Sequence, residues 1–344
     1  MTSDNLQDKV DITFIGAGPT GLFGAFYAGL RGLSVKLIDA LPQPGGQLRA
    51  LYPEKTILDV PGFPAVKADN LVGELQKQAL QWNPILCLEE RALGLSPLHN
   101  AVGCDDPLCW EIQTDRAIHP TRAVVITAGI GAFEPIRLDI PSLKKYEGRG
   151  VDYFIQDVDA YSGARVLVVG GGDSAVDWAT NLSRTAEHVT LIHRRDGFRA
   201  FESSVRDLYA SPVDIKTHYE LKAIHGSDHI ESVTISQNKT GEEETLQMDR
   251  IYLALGFKAN LGALKNWGLE TTNQRYIKVN ARMETNLEGV YAAGDIALEE
   301  DQDPLNLIVT GFSEAAVAVN HAYARLVEEG SVFPGHTSSR AVPL

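Results

Sequence analysis

The chain has 344 residues and a formal net charge of −14, from 31 Lys and Arg against 45 Asp and Glu. That length holds two domains with separate cores, and that charge argues against a general nucleic-acid binder. No apolar run approaches the roughly 20 residues needed to span a bilayer, and the polar stretch Met1–Lys9 has no signal-peptide core, so no membrane association is expected and the expected location is the cytosol.

In chain order, residues 10–15 read as a short buried β-branched strand and residues 19–31 as a helix with a face of Gly21, Gly24, Ala25 and Ala28. Residues 35–38 give the next parallel strand, ending at Asp39. Residues 70–82 predict an amphipathic helix carrying Leu71, Leu75 and Leu80, and residues 86–95 and 110–114 predict short antiparallel strands. Residues 123–127 form another apolar strand, which runs into Ala128 and Gly129. The pattern then restarts: a strand at 165–169, a helix at 173–183, a strand at 189–192, short β-type runs at 215–217, 230–236 and 246–248, and a strand at 251–255. A strand at 289–292, the pair Gly294-Asp295 and a helix over about 311–328 follow, before a polar tail at 331–344. This order predicts an α/β protein in which one nucleotide-binding domain (1–128 and 257–344) is interrupted by a second (129–256). Cys87, Cys104 and Cys109 are odd in number and loosely spaced, so they are expected to be plain thiols, with no disulfide framework and no metal site.

Two glycine loops carry the chemistry. The first, Gly16-Ala17-Gly18-Pro19-Thr20-Gly21, leaves a strand and opens a helix. Gly16 permits the turn, Gly18 lets a pyrophosphate approach the main chain, and Gly21 lets the helix lie on the strand. Asp39 ends the next strand, where a carboxylate accepts both hydroxyls of an unphosphorylated ribose. Asp295, late in the chain, suits a ribityl hydroxyl, so this half is read as the FAD site. The second loop, Gly170-Gly171-Gly172-Asp173-Ser174-Ala175, is followed after one strand by His193-Arg194-Arg195-Asp196 and then Arg199. Guanidinium groups in place of an acid suit a 2′-phosphate, so NADP(H) is expected here.

The ordered set GAGPTG (16–21), PGGQL (44–48), GGGDSA (170–175), HRRDGFRA (193–200) and AAGDIA (292–297) resembles the thioredoxin reductase-like flavoproteins over nearly the whole chain. The resemblance implies two Rossmann-like, three-layer ββα dinucleotide-binding domains. It fails at one place: the CxxC dithiol of thioredoxin reductases falls on Phe154 and Asp157, so disulfide exchange has no thiolate. Leu51-Tyr52-Pro53 and the tail's His336-Thr337-Ser338 are instead similar to the ferredoxin–NADP⁺ reductases of the thioredoxin reductase type.

That resemblance implies hydride transfer between NADPH C4 and flavin N5, then one-electron exchange with ferredoxin or flavodoxin. It implies Tyr52 and His336 on the two faces of the isoalloxazine, with Thr337 or Ser338 near its reactive edge. It also implies FAD contacts from Thr20, Gln47, Ala92 and Phe133, and a homodimer in which one subunit's tail covers its partner's flavin. An acidic ferredoxin calls for a local basic patch on this acidic chain; Lys67, Lys77, Lys144 and Lys145 are candidates. Two other readings stay open: an NADPH-dependent quinone reductase, and a flavoprotein that signals its redox state to a partner; a disulfide reductase would need the dithiol that is absent.

Overall fold

The computed structural model describes residues 9–98, 109–129, 131, 134–155, 157–258, 260–333 and 335. The chain divides into two compact units, one of residues 1–132 with 259–344 and one of residues 133–258.

In the first unit β1 (Val10–Ile15) leads into α1 (Pro19–Leu30), with Pro19 at the first helical turn, and then into β2 (Val35–Ile38). The short helix α2 (Gly46–Leu51) and the longer α3 (Ala68–Leu80) follow. The segment expected to be one antiparallel strand over 86–95 is two elements. Its first part, β3 (Ile85–Cys87), is parallel to β2, and its second, β4 (Ala92–Leu98), pairs antiparallel with β5 (Cys109–Thr114). Between them the chain turns through Glu89 at φ 52°, with the Glu90 N–H donating to Asp39 O and the Asp39 N–H donating to Cys87 O. That tie to the end of β2 breaks the run.

Strand β6 (Ile118–Ile126) has two roles. Its first half pairs antiparallel with β5, and its second half lies parallel to β1, with Ile15 opposite Ile126. Cys109, expected to be a plain thiol, is buried and disulfide-bonded; Cys87 is the free thiol among the described residues, and Cys104 lies outside them.

The second unit repeats the plan. Strand β7 (Val151–Asp152) precedes β8 (Arg165–Gly170), α4 (Asp173–Leu182), β9 (His188–His193), α5 (Glu202–Ala210) and β10 (Asp214–Thr217). An antiparallel meander of β11 (Tyr219–His225), β12 (Ser232–Gln237) and β13 (Glu243–Gln247) leads to β14 (Arg250–Ala254). The parallel sheet runs β7-β14-β8-β9-β10, and its apolar residues, with the meander's inner face, form one core.

The chain then returns to the first unit with β15 (Tyr276–Val279), β16 (Val290–Ala292), β17 (Ala297–Glu299) and α6 (Ile308–Leu326). Strand β16 completes the first sheet by pairing parallel with the second half of β6. The core of this unit lies between that sheet and helices α1, α3 and α6, and includes Phe14, Leu37, Leu71, Ile126 and Val319. The parallel strands of both sheets are Val- and Ile-rich and nearly continuous in burial, as expected of strands covered on both faces. No helix among the described residues is long and apolar enough to cross a membrane.

Candidate functional site

The first unit places its glycine loop at the carboxyl end of β1, where the strand hands over to α1. The Gly16 N–H donates to Ile38 O at 2.9 Å, and Thr127 Oγ1 donates to Gly16 O at 2.8 Å, so both neighbouring strands brace the turn. A Cβ on Gly16 would lie 2.5 Å from Thr127 O, whereas at Gly18 the nearest atom is Gly46 Cα at 3.8 Å. The loop is thus closed on the protein side and open at Gly18. Helix α1 has Gly18 at its N-cap, no side-chain cap and no acid in its first turn, so its leading N–H groups are left for an anion. These residues fit a dinucleotide pyrophosphate.

Asp39 stands at the end of β2, half-buried, and its two oxygens accept the Ala17 N–H at 2.6 Å and the Leu41 N–H at 2.8 Å. Burial pushes its carboxyl up, and these two hydrogen bonds pull the other way. A carboxylate still has acceptor positions free after two bonds, so ribose hydroxyls can be taken as well. Ala92 starts β4, two residues beyond Glu90, whose N–H is tied to Asp39 O.

Thr20, Gly294 and Gly311 converge from α1, the turn after β16 and the first turn of α6. A Cβ on Gly294 would lie 2.9 Å from Thr20 Oγ1, and one on Gly311 only 2.4 Å from it. Gln47 from α2 hydrogen-bonds Asp295. Tyr52, the C-terminal cap of α2, is enclosed close enough to Asp295 and Asp59 that burial and these two charges push its phenol well above its usual value. Helix α6, like α1, has no side-chain cap and no acid in its first turn. The structure therefore brings Thr20, Gln47, Tyr52 and Asp295 to the same end of the sheet as Gly16, Gly18, Gly21 and Asp39. Phe133, His336, Thr337 and Ser338 lie outside the described residues.

One residue of this cluster was missed in the sequence. Glu314, in the second turn of α6, accepts the Gly294 N–H on Oε2 at 2.6 Å. A second polar cluster also escaped notice. Cys87, Glu90 and His119 each bring a ligand-type atom within 4.8 Å of the others, although no metal site was expected. Glu90 Oε1 already bonds His119 Nε2 at 2.7 Å and accepts from Thr114 Oγ1. The charge of buried Lys36 acts on both Cys87 and His119, which disfavours a further cation.

In the second unit β8 ends in the loop at 170–172, and α4 again has a glycine N-cap with no side-chain cap. Ala175 is fully buried against Gly170, and Ser174 is exposed in the first turn. Asp173 is engaged: its Oδ1 accepts the Phe201 N–H at 3.1 Å. With the Arg199 N–H donating to Gly171 O at 2.7 Å, this fastens segment 193–201 across the glycine loop.

His193 does not reach outward. Its ring lies under Gly171, where an added Cβ would come within 2.2 Å of it, and stacks on Phe198 at 5.5 Å between centroids. Burial, with Arg194 and Arg195 nearby, pushes the imidazole below its usual value, against an upward pull from a hydrogen bond with the Gly197 backbone. Arg194, Arg195 and Arg199 are exposed, and among the described residues their guanidinium groups make no ion pair. Three unpaired cations beside an uncapped helix N-terminus fit a cofactor with an extra phosphate.

Of the lysines considered for docking, Lys67 pairs with Glu54 at 2.5 Å and Lys77 with Glu74 at 2.7 Å. Each thus has its own carboxylate. Neither Phe154 nor Asp157, the positions to which the resemblance assigns a dithiol, is a cysteine, and Asp157 accepts the Asp159 N–H at 2.9 Å.

Comparison with known proteins agrees with this arrangement. The family model described as "Pyridine nucleotide-disulphide oxidoreductase" matches residues 10–322. A ferredoxin–NADP reductase of Halalkalibacterium halodurans is 48% identical over 334 residues, covering 97% of this chain and 98% of that protein. One of Symbiobacterium thermophilum is 48% identical over 338 residues, with 97% and 98% covered. Among solved structures, Lactococcus lactis thioredoxin reductase superposes with a TM-score of 0.79 at 26% identity, covering 92% of this chain and 99% of that one. T. acidophilum thioredoxin reductase shares the fold with a TM-score of 0.80 at 22% identity, covering 93% of this chain and 99% of that one. With two nucleotide-type loops in a thioredoxin reductase-like α/β fold, the chain belongs to the pyridine nucleotide-disulphide oxidoreductase family and, within it, to the ferredoxin–NADP reductases.

Proposed function

We propose that the protein is an FAD-containing oxidoreductase that passes electrons between NADP(H) and ferredoxin or flavodoxin. The observation that carries this reading is the contrast between the two loops. A carboxylate, Asp39, stands beside the first, and three exposed arginines, without an ion pair among the described residues, stand beside the second, with no dithiol at positions 154 and 157. FAD, when bound, takes a hydride from NADPH and gives electrons up singly.

The chain's own residues do the rest. Uncapped α1 and Gly18 receive the pyrophosphate, Asp39 the adenosine ribose and Asp295 the ribityl chain. Tyr52 is placed as a flat shield against water at one face of the ring system. The leading N–H groups of α6 would offer positive potential to the pyrimidine end of a bound flavin, where it favours negative charge. In the second unit Gly172 and α4 receive the NADP(H) pyrophosphate, and Arg194, Arg195 and Arg199 its 2′-phosphate. Segment 336–338, from a second copy of the chain, is assigned to the other flavin face by the family resemblance.

The test is NADPH-dependent cytochrome c reduction with and without ferredoxin or flavodoxin, beside NADH and quinone arms. Strong stimulation by either carrier with NADPH preference is expected. Fast flavin reduction with no stimulation, and quinone as the better acceptor, would move the function to a quinone reductase. Asp39→Ala removes a charged acceptor worth about 2 kcal/mol, so FAD affinity is expected to fall roughly 30-fold, read by flavin fluorescence on titration of apoprotein. Unchanged affinity would remove Asp39 from the site.

A further inference from the structure

Glu314 is an acid in an unusual place. Residues 310–318 of α6 contain no other charged side chain, and the helix otherwise presents small and apolar residues there. Its carboxylate accepts the Gly294 N–H at 2.6 Å, which holds the turn carrying Asp295. The titratable groups that act on it are acids: Asp295 on that turn and Glu299 on β17. From α1 the turn is met by Thr20, which is uncharged, and Arg275 is the cation that acts on Asp295 among the described residues. Three carboxyl groups thus share one half-buried corner, and like charges so placed disfavour ionising together.

This corner adjoins the end of the sheet at which the proposed function places FAD, and the inference rests on that reading. FAD brings two phosphate negative charges to a cluster that is already negative. We infer that Glu314 is a positioning residue for FAD that works in its protonated form: a proton on the Glu314 carboxyl accompanies FAD into the site, while Oε2 keeps its hydrogen bond to Gly294 and fixes the Asp295 turn. The proton comes from solvent and returns to it when FAD leaves, so no other reactant is needed.

Burial, then Asp295 and Glu299, push the Glu314 carboxyl up to about 7, against a smaller downward pull from the Gly294 N–H. Negative charge from FAD raises it further. The sign follows. Below about pH 7 the carboxyl carries its proton with or without FAD, and affinity is flat. Above that the free protein has lost the proton and FAD binding must restore it, so affinity falls by up to tenfold per pH unit.

The experiment titrates full-length apoprotein with FAD from pH 6 to 9, following flavin fluorescence. Calorimetry at pH 8 in two buffers of different ionisation enthalpy counts protons taken up. Wild type is expected to weaken about tenfold or more between pH 6.5 and 8.5 and to take up a proton on binding. Glu314→Gln keeps an acceptor for Gly294, and is expected to vary less than about threefold over that range with reduced proton uptake.

 

Glu299→Gln removes one repulsion, so free Glu314 gives up its proton at lower pH and the onset of weakening is expected to move to lower pH. It also serves as the second test if Glu314→Gln does not fold. Equal pH slopes in wild type and Glu314→Gln, or no shift with Glu299→Gln, would overturn the inference while leaving FAD in its site. Failure of the wild-type protein to bind FAD at any pH would overturn the proposed function and this inference with it.

Discussion

A Gly21→Ala variant is expected to purify without flavin. A Cβ at this position would lie 2.0 Å from Gly16 O and 2.8 Å from Thr127 Oγ1, and the first of these is main chain. Gly16 cannot drift aside freely. Its N–H is tied to Ile38 O, and its carbonyl accepts Thr127 Oγ1. The added methyl must therefore either lift the first turn of α1 off the strand or turn the Gly16 peptide. Both movements misdirect the N–H groups offered to the pyrophosphate. Overpacking of this kind costs about 1–3 kcal/mol in a side-chain core, and a backbone obstacle yields less readily. FAD affinity is expected to fall at least about 100-fold, equivalent to roughly 3 kcal/mol. The measurement is the ratio of flavin to protein absorbance after purification, with thermal unfolding alongside. Gly73→Ala is the control: it lies inside α3 with nothing within 4 Å of an added Cβ, so it should keep its flavin. Full flavin content in Gly21→Ala would show that the first loop is not the pyrophosphate site.

The sequence showed this loop well because its requirements are local. A strand, three small residues, a helix and an acid at the end of the next strand all lie within residues 10–39, and the structure places them as β1, α1 and β2. Features that depend on distant segments were harder to read. The 86–95 run looked like one strand because nothing local reveals that the Asp39 backbone captures both Cys87 and Glu90. Helix α5 was missed because only Leu208 is buried on it, which leaves little apolar periodicity. The disulfide of Cys109 was missed because compartment, rather than geometry, guided the expectation.

The same distinction applies inside the site. Asp39 and the arginines could be read from their place in a strand–loop–helix–strand unit. Glu314 could not, because its partner Gly294 is 20 residues earlier and meets it only after α6 packs against the turn. His193 illustrates the converse case. Beside two arginines it resembled a phosphate ligand, but its ring lies under Gly171, while Arg194 and Arg195, just past the end of β9, are exposed. Asp173 likewise serves the loop by binding Phe201.

Those exposed arginines carry the other large effect. Arg194→Gln with Arg195→Gln is expected to lower kcat/KM for NADPH about 100-fold and to leave that for NADH within about threefold. A hydrogen bond to a charged group contributes about 1.5–3 kcal/mol, and solvent exposure places these at the lower end, so two lost contacts amount to roughly 3 kcal/mol. NADH has no 2′-phosphate and gains nothing from the guanidinium groups, so the nucleotide preference should move toward parity. The loop itself should survive, because its anchors are the Arg199 N–H on Gly171 O and the Phe201 N–H on Asp173, neither of which involves the altered side chains. Arg199→Gln separates the two functions of that residue: its main-chain bond remains while its charge is lost. Wild-type KM for NADPH should also rise with salt, and the double variant should be nearly insensitive to it, since screening acts on exposed charges. Steady-state rates with both nucleotides at two ionic strengths provide the check. A parallel loss with NADPH and NADH would mean that Arg194 and Arg195 hold a part common to both nucleotides, and the preference for a 2′-phosphate would then need another source.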